Sequence, residues 1–304
     1  MLKFFSFRSK AIILYHIFLS LSKLFLSKNK KLFEFFLFYR QTVDEKGEII
    51  YNITENIYFL ECMHMKVIIT ENYDEMSKQA ADIIIELVKN NPNAILGLAT
   101  GSSPIGMYKN MAKAYENGEV SFKNVSSVNL DEYVGLTADH DQSYAYFMRH
   151  NLFNHIDIDL NNTHLPCGSA KDTQAECDRY NALLDDMKQD VQVLGLGSNG
   201  HIGFNEPDTP FASVTHLVDL TENTIKDNSR LFNSIDEVPR QALSMGIKNI
   251  MQAKSILMVV SGKNKAEAVR GMVKGEVTPA LPASVLQLHP FVTIVCDKDA
   301  ASLL

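Results

Sequence analysis

Short apolar runs alternate with helical patterns along the chain from Met65 onward. Six runs are rich in Val, Ile and Leu and end in turn residues: KVIIT, AILGLA, SVNL, VQVLGLG, SILMVVSG and FVTIVCD. Between them, residues 73–91 and 264–275 carry apolar side chains at helical spacing. Continuous apolar strands between helices predict a doubly wound, mostly parallel α/β sheet that is covered on both faces.

The first sixty-four residues differ from the rest in composition. They hold nine basic and six acidic residues, a formal charge of +3, whereas residues 65–304 carry −10. Phenylalanine and lysine are crowded there without a clear periodicity. We predict a single domain over residues 65–304, preceded by an extension (1–64) that lies outside the fold and is most simply explained as upstream sequence translated before a start at Met65.

A signal peptide or membrane anchor is the alternative for the extension. Its apolar stretch, residues 11–26, follows Arg8 and Lys10 but is interrupted by His16 and Lys23. It is shorter than the roughly twenty apolar residues of a spanning helix, and no small-residue cleavage site follows it. The sequence therefore predicts no stable membrane association.

Charge and cysteine content narrow the class of protein further. The net charge is −7 over 304 residues, which argues against a nucleic-acid partner. The four cysteines are far apart and form no metal-binding or disulfide pattern: Cys62, Cys167, Cys177 and Cys296. We expect free thiols, a cytoplasmic location, and no metal or other cofactor.

The segment GLGSNGHIGFNEP (195–207) contains the glycine spacing of a dinucleotide-binding loop. That motif requires a helix to start at its third glycine, but Gly203, Pro207 and Pro210 follow, and prolines there would break a helix. The alternative is a glycine-rich loop at a strand end that presents four polar side chains: Asn199, His201, Asn205 and Glu206. Taken alone, His201 and Glu206 would be explained as a turn histidine and a glutamate that caps the next segment.

A second segment, LATGSSPIGMY, reads as strand, turn and helix, with Ser103 as N-cap and Pro104 as first helical residue. Backbone amides of Gly101, Ser102 and Ser103, with the hydroxyls of Thr100 and the two serines, can surround an anion at a helix N-terminus. A helix that is merely well capped would have the same sequence.

A third segment, SSVNLDEYVGL, places Asp131 and Glu132 directly after an apolar strand. Burial would raise a carboxyl pKa and make it a better base, although a solvated carboxylate is commoner at such a position. Ligands of parallel sheets bind at the carboxyl ends of the strands, where all three segments lie. Together they predict an enzyme that moves protons on a small phosphorylated molecule.

The ordered motifs LATGSSP, NLDEYVGL, GLGSNGHIGFNEP, DNSRLF and LQLHP closely resemble the glucosamine-6-phosphate deaminase family, from Met65 to the C-terminus. The resemblance implies a Rossmann-like fold of the sugar-phosphate isomerase type, an amino-sugar phosphate as substrate, and conversion of glucosamine 6-phosphate and water to fructose 6-phosphate and ammonia. It also implies that Asp131 is the base that moves a proton from C2 to C1.

The remaining roles also come from the resemblance. His201 corresponds to the acid/base that opens the sugar ring, oriented by Asn199 and Glu206, and the cationic phosphate contacts fall on Arg230 and Lys265.

The sequence departs from the family pattern at two points. Some members have Asp where Asn199 stands; an amide carries no charge, so it should raise the histidine pKa less. Members activated by N-acetylglucosamine 6-phosphate carry basic residues where this chain has His216 and Val218, and they have a longer C-terminal tail. We expect activity without this activation.

Three other functions remain open at this point. A 6-phosphogluconolactonase shares the fold but lacks the FNEP continuation, a sugar-phosphate sensor would need a DNA-binding module in residues 1–64, and a membrane-tethered deaminase would need an anchor at residues 11–26. The sequence leaves the oligomeric state undecided, with a homo-oligomer one of the options.

Overall fold

The computed structural model describes residues 65–222, 225, 229, 232 and 234–304, together with two short strands nearer the N-terminus. These strands, β1 (Thr42–Val43) and β2 (Ile49–Ile50), pair antiparallel. The chain divides between Phe59 and Leu60 into two units, and every element below belongs to the second.

The candidate anchor at residues 11–26 lies outside the part of the chain that is described. Within that part, no helix has the length and apolar character needed to cross a membrane.

A seven-stranded sheet, parallel throughout, forms the centre of the second unit. Its spatial order is β3, β12, β11, β8, β4, β5, β7. The strands are β3 (Lys66–Thr70), β4 (Ile95–Leu98), β5 (Ser126–Asn129), β7 (Thr163–His164), β8 (Val191–Leu194), β11 (Ile256–Val260) and β12 (Val292–Asp297). The predicted doubly wound parallel sheet is confirmed.

The helices connect these strands and cover the sheet. They are α1 (Tyr73–Asn90), α2 (Ile105–Glu116), α3 (Tyr144–Asn151), α4 (Thr173–Asp186), α5 (Ile247–Ile250) and α6 (Ala266–Lys274). Short 3₁₀ turns lie at Phe153–His155, Leu160–Asn162, Ile235–Glu237, Lys263–Lys265 and Pro282–Leu288.

The apolar runs are continuous because both faces of the central strands are buried. All five residues of β11 and all four of β8 are inaccessible to solvent. Helix α1 instead buries one stripe, which includes Met76, Ala80 and Ile84, and keeps its charged residues outside. These two patterns are those of a sheet interior and an amphipathic covering helix.

A second, antiparallel sheet was not predicted. It consists of β6 (Asp131–Tyr133), β10 (Gln241–Ser244) and β9 (His216–Asp219), with β10 in the middle. Only Leu130 separates β5 of the large sheet from β6 of the small one. The small sheet therefore begins at the candidate base itself.

The order of the large sheet reverses between β4 and β8. From β4 the chain moves outward through β5 to β7, and from β8 it moves the other way through β11 to β12. Such a switch point opens a crevice at the carboxyl ends of the strands. The loops after β4, β5, β8 and β11 all lead from this region.

Candidate active site

The loop after β4 has the form predicted for an anion site, with one correction. Thr100, Gly101, Ser102 and Ser103 follow the strand, and Gly101 has a φ of 95°, which favours glycine. However, α2 begins one residue later than predicted, with Pro104 as N-cap and no side-chain capping bond, so the assignment of Ser103 as N-cap was wrong. Its side chain therefore has no capping role in this helix.

Asp131, the candidate base, is buried where the two sheets meet. Its side chain is 5% exposed. Burial, reinforced by the negative charge of Glu132, raises its pKa to about 8, against an opposing hydrogen bond from Thr100 at 3.5 Å. The Thr100 contact also brings the loop after β4 to the carboxylate, as the adjacent positions of β4 and β5 predict.

Glu132 points to the other face of β6 and ties it to a helix. Its carboxylate accepts hydrogen bonds of 2.9 Å from the backbone N–H groups of Tyr133, Tyr144 and Ala145. The last two begin α3, whose first N–H groups lack partners within the helix. Burial raises the Glu132 pKa, while these hydrogen bonds oppose that rise. The sequence indicated a carboxylate here but not this capping role.

The loop after β8 brings Asn199, His201 and Glu206 together. Asn199 donates from Nδ2 to Glu206 Oε2 at 2.7 Å and accepts the His201 backbone N–H on Oδ1 at 3.2 Å. His201 Nδ1 lies 3.5 Å from Glu206 Oε1, at the limit of a hydrogen bond. The His201 side chain is 30% exposed, so one edge of the imidazole is accessible. No helix follows Gly200, as the sequence predicted.

Two glycines let this loop approach its neighbours. A Cβ on Gly197 would lie 2.4 Å from His201 Nδ1, so the imidazole packs directly on the Gly197 backbone. Gly203, with a φ of 59°, places its backbone where a Cβ would be 3.7 Å from Asp131 Oδ2. The histidine loop therefore lies close to the buried carboxylate.

Asn205 serves the fold rather than the exposed site. It is fully buried, and its side-chain amide donates to the carbonyl groups of Ile202 and Met245. Ser244, opposite Asp131 in the β6–β10 register, accepts the Phe204 N–H on its Oγ. These bonds fix the histidine loop to the small sheet.

An aromatic cluster that the sequence analysis missed lies over the small sheet. Tyr133 and Tyr144 have ring centroids 4.7 Å apart, and Tyr144 stacks on Phe204 at 6.2 Å. Phe232 meets the edge of Tyr133. The cluster belongs to the hydrophobic core of the small sheet.

The structure describes only one of the two basic residues that were predicted to contact the phosphate. Lys265 is half-buried in the loop after β11, between Gly262 and α6, and Asp297 fixes that loop by accepting hydrogen bonds from Ser261 Oγ and the Gly262 N–H. Arg230 lies outside the described residues. Among those that are described, no group of three or more His, Cys, Asp or Glu side chains could hold a metal ion.

Known proteins resemble the chain over most of its length. The family model for glucosamine-6-phosphate isomerases/6-phosphogluconolactonase matches residues 70–294. A glucosamine-6-phosphate deaminase of Thermoanaerobacter pseudethanolicus is 55% identical over 241 residues, which are 79% of this chain and 95% of the relative. One from Clostridium perfringens is 54% identical over 79% of this chain and 100% of its own length.

Solved structures agree with the fold. A monomeric glucosamine-6-phosphate deaminase is 47% identical, with a TM-score of 0.77 over 79% of this chain and 100% of its own. The 6-phosphogluconolactonase of Trypanosoma brucei has a TM-score of 0.64 over 79% of this chain and 98% of its own, but only 20% identity, so it supports the fold alone. The chain belongs to the glucosamine-6-phosphate isomerase/6-phosphogluconolactonase family and, within it, to the glucosamine-6-phosphate deaminases.

Proposed function

We propose that the chain converts glucosamine 6-phosphate and water to fructose 6-phosphate and ammonia, in amino-sugar catabolism. The observation that carries the proposal is the buried carboxylate of Asp131, which lies between a loop suited to phosphate and a loop carrying an accessible histidine. The high identity to deaminases of two genera supports this substrate over other sugar phosphates.

His201 opens the sugar ring in this proposal. It takes the proton of the C1 hydroxyl and delivers a proton to the ring oxygen, so that C1 becomes an aldehyde. Glu206 lies beside the imidazole, and Asn199 bonds both to Glu206 and to the His201 backbone, so the two residues orient the histidine. Because the histidine side chain is partly exposed, a sugar can reach it without a rearrangement of the loop.

Asp131 then carries out the isomerisation. Its carboxylate removes the C2 proton of the open-chain sugar and returns it to C1. In the same isomerisation the C1 carbonyl oxygen gains a proton and becomes a hydroxyl, and the amino group loses one, which leaves a C=N bond at C2. Water adds to that carbon, the C–N bond breaks, and ammonia leaves to give the ketone. A raised pKa suits both halves of the transfer, because the group must accept the proton and then release it.

The phosphate binds at the loop after β4. In this proposal the backbone N–H groups of Gly101, Ser102 and Ser103 donate to the phosphoryl oxygens at the start of α2, where the helix dipole also favours negative charge. Lys265 adds a positive charge from the loop after β11. These strands lie close in the sheet order, with β8 between β11 and β4.

Ammonia release from glucosamine 6-phosphate tests the function. The full chain should release ammonia and fructose 6-phosphate in equal amounts, and Asp131→Asn should release almost none. 6-Phosphogluconolactone should not be hydrolysed. Hydrolysis of the lactone without ammonia release from the amino sugar would refute the proposal.

We further propose that residues 65–304 carry the whole activity in the cytoplasm. A chain starting at Met65 should match the full chain in kcat/KM, and both should remain in the supernatant after fractionation. Sedimentation of the active protein would determine whether it is a homo-oligomer or, like the structurally similar deaminase, a monomer.

A further inference from the structure

Tyr73 reaches from α1 to the proposed phosphate loop. It is the first residue of α1, and its hydroxyl donates to the carbonyl oxygen of Ser102 at 2.9 Å. The same hydroxyl accepts the backbone N–H of Gly106, also at 2.9 Å. Tyr73 is outside the proposed chemistry, yet its one polar atom bridges both ends of the turn that leads into α2.

The first hydrogen bond fixes a peptide plane. A trans peptide directs its C=O and N–H to opposite sides, and no described peptide bond is cis. When Tyr73 holds the Ser102 carbonyl toward α1, the Ser103 N–H is turned away from α1. The plane of this peptide turns about ψ of Ser102 and φ of Ser103, and the bond from Tyr73 opposes that rotation.

The second hydrogen bond gives the Gly106 N–H an acceptor on α1. Gly106 lies in the first turn of α2, where backbone N–H groups have no acceptor within the helix. A Cβ on Gly106 would lie 2.2 Å from Ser77 Oγ and 3.0 Å from Tyr73 Cε1, so the glycine allows α1 to approach this closely. The tyrosine hydroxyl and the glycine together hold α1 against the start of α2.

We propose that Tyr73 is a positioning residue for the phosphate subsite. Its hydroxyl holds the Ser102–Ser103 peptide so that the Ser103 N–H faces the phosphoryl group. The inference rests on the proposed function, because it assigns the phosphate to this loop. It concerns binding of the phosphate and not the proton transfers at C1 and C2.

The test compares Tyr73→Phe with the unaltered chain and with Tyr115→Phe. Phenylalanine keeps the ring and removes only the hydroxyl. Tyr115 lies near the other end of α2, about 15 Å along the helix axis, and serves as the matched control. We expect Tyr73→Phe to raise KM for glucosamine 6-phosphate about three- to tenfold, because both hydrogen bonds of the hydroxyl are lost and the one to Ser102 positions the phosphate-binding peptide, with kcat changed less than about twofold.

Binding of inorganic phosphate, measured by calorimetry, gives a readout that does not depend on turnover. Its dissociation constant should rise in Tyr73→Phe by a factor similar to that for KM, and neither quantity should change in Tyr115→Phe. An unchanged KM or an unchanged phosphate affinity would overturn the inference. So would a Tyr73→Phe variant in which kcat and thermal stability both fall. If the unaltered chain binds phosphate but releases no ammonia, the proposed function fails while the role of Tyr73 is still tested by phosphate binding.

Discussion

Asp131→Asn should remove activity and, at alkaline pH, stabilise the fold. The pKa of this buried carboxyl is about 8 in the folded protein, against about 3.9 for an aspartate in an unfolded chain. Between these two pH values Asp131 is more fully protonated in the folded state than in the unfolded state. The free energy of unfolding of the unaltered protein therefore falls as pH rises from about 4 to about 8, and the asparagine variant lacks this contribution.

The size of the effect follows from the two pKa values. One pKa unit corresponds to about 1.4 kcal/mol, so the cost of keeping Asp131 in its site grows by roughly 3 to 4 kcal/mol between pH 5 and pH 8. The stability of Asp131→Asn relative to the unaltered protein should increase by that amount over the same range. Loss of the base should lower kcat about 10²- to 10⁴-fold.

Urea unfolding of the full chain at pH 5, 6, 7 and 8 measures the first quantity, and ammonia release at pH 8 measures the second. Asp299→Asn is the matched control, because Asp299 is an exposed aspartate elsewhere in the same unit. Its effect on stability should vary little with pH. A stability difference for Asp131→Asn that stays constant from pH 5 to pH 8 would refute the argument that burial raises this pKa.

The remaining predictions concern the same site. In the unaltered protein, kcat/KM should rise about tenfold per pH unit below pH 8 and level off above it, because Asp131 must be ionised to act as a base; a flat profile between pH 6 and pH 8 would contradict this. Glu132→Gln removes the neighbouring negative charge and should move this rise in kcat/KM to lower pH, which a pH–rate profile measures. A rise at the same or a higher pH would show that the Glu132 charge does not raise the Asp131 pKa. Gly197→Ala should lower kcat by about tenfold or more, because its methyl group would displace the His201 ring. Steady-state kinetics measures this, with Gly195→Ala as the control, because a Cβ on Gly195 meets nothing within 4 Å. Equal activity of the two alanine variants would contradict that reasoning.

The large sheet could be predicted because burial on both faces leaves a strong signal. Runs such as SILMVVSG cannot be explained by a half-exposed strand, and the observed β11 is buried at every position. The proximity of Thr100 and of the histidine loop to Asp131 also follows from the topology. The segments that bear Lys265, His201, Thr100 and Asp131 follow β11, β8, β4 and β5, which are consecutive in the sheet.

The small sheet could not be predicted because its strands mix polar and apolar residues without such a run. The sequence left open whether Asp131 and Glu132 are solvated or buried, and both are buried, with Glu132 only 2% exposed. Their burial depends on β10, which comes more than one hundred residues later. Nor does any local pattern indicate that Tyr73 bonds to Ser102, because that contact joins the start of α1 to the turn before α2.

The small sheet buries a carboxylate that lies at the carboxyl edge of the large sheet. A parallel sheet of this kind supplies loops at its carboxyl edge, but a carboxylate placed there in water would have an ordinary pKa and would be a weak base at neutral pH. Here the chain leaves β5 and passes through Leu130 directly into β6, which pairs with β10 and lies among the aromatic rings. Adjacent residues of a strand face opposite sides, so Asp131 turns toward the crevice while Glu132 caps α3. The same strand thus buries the Asp131 carboxyl and positions a second negative charge beside it, and both effects raise its pKa to about 8, which suits the proton transfer that we propose for it.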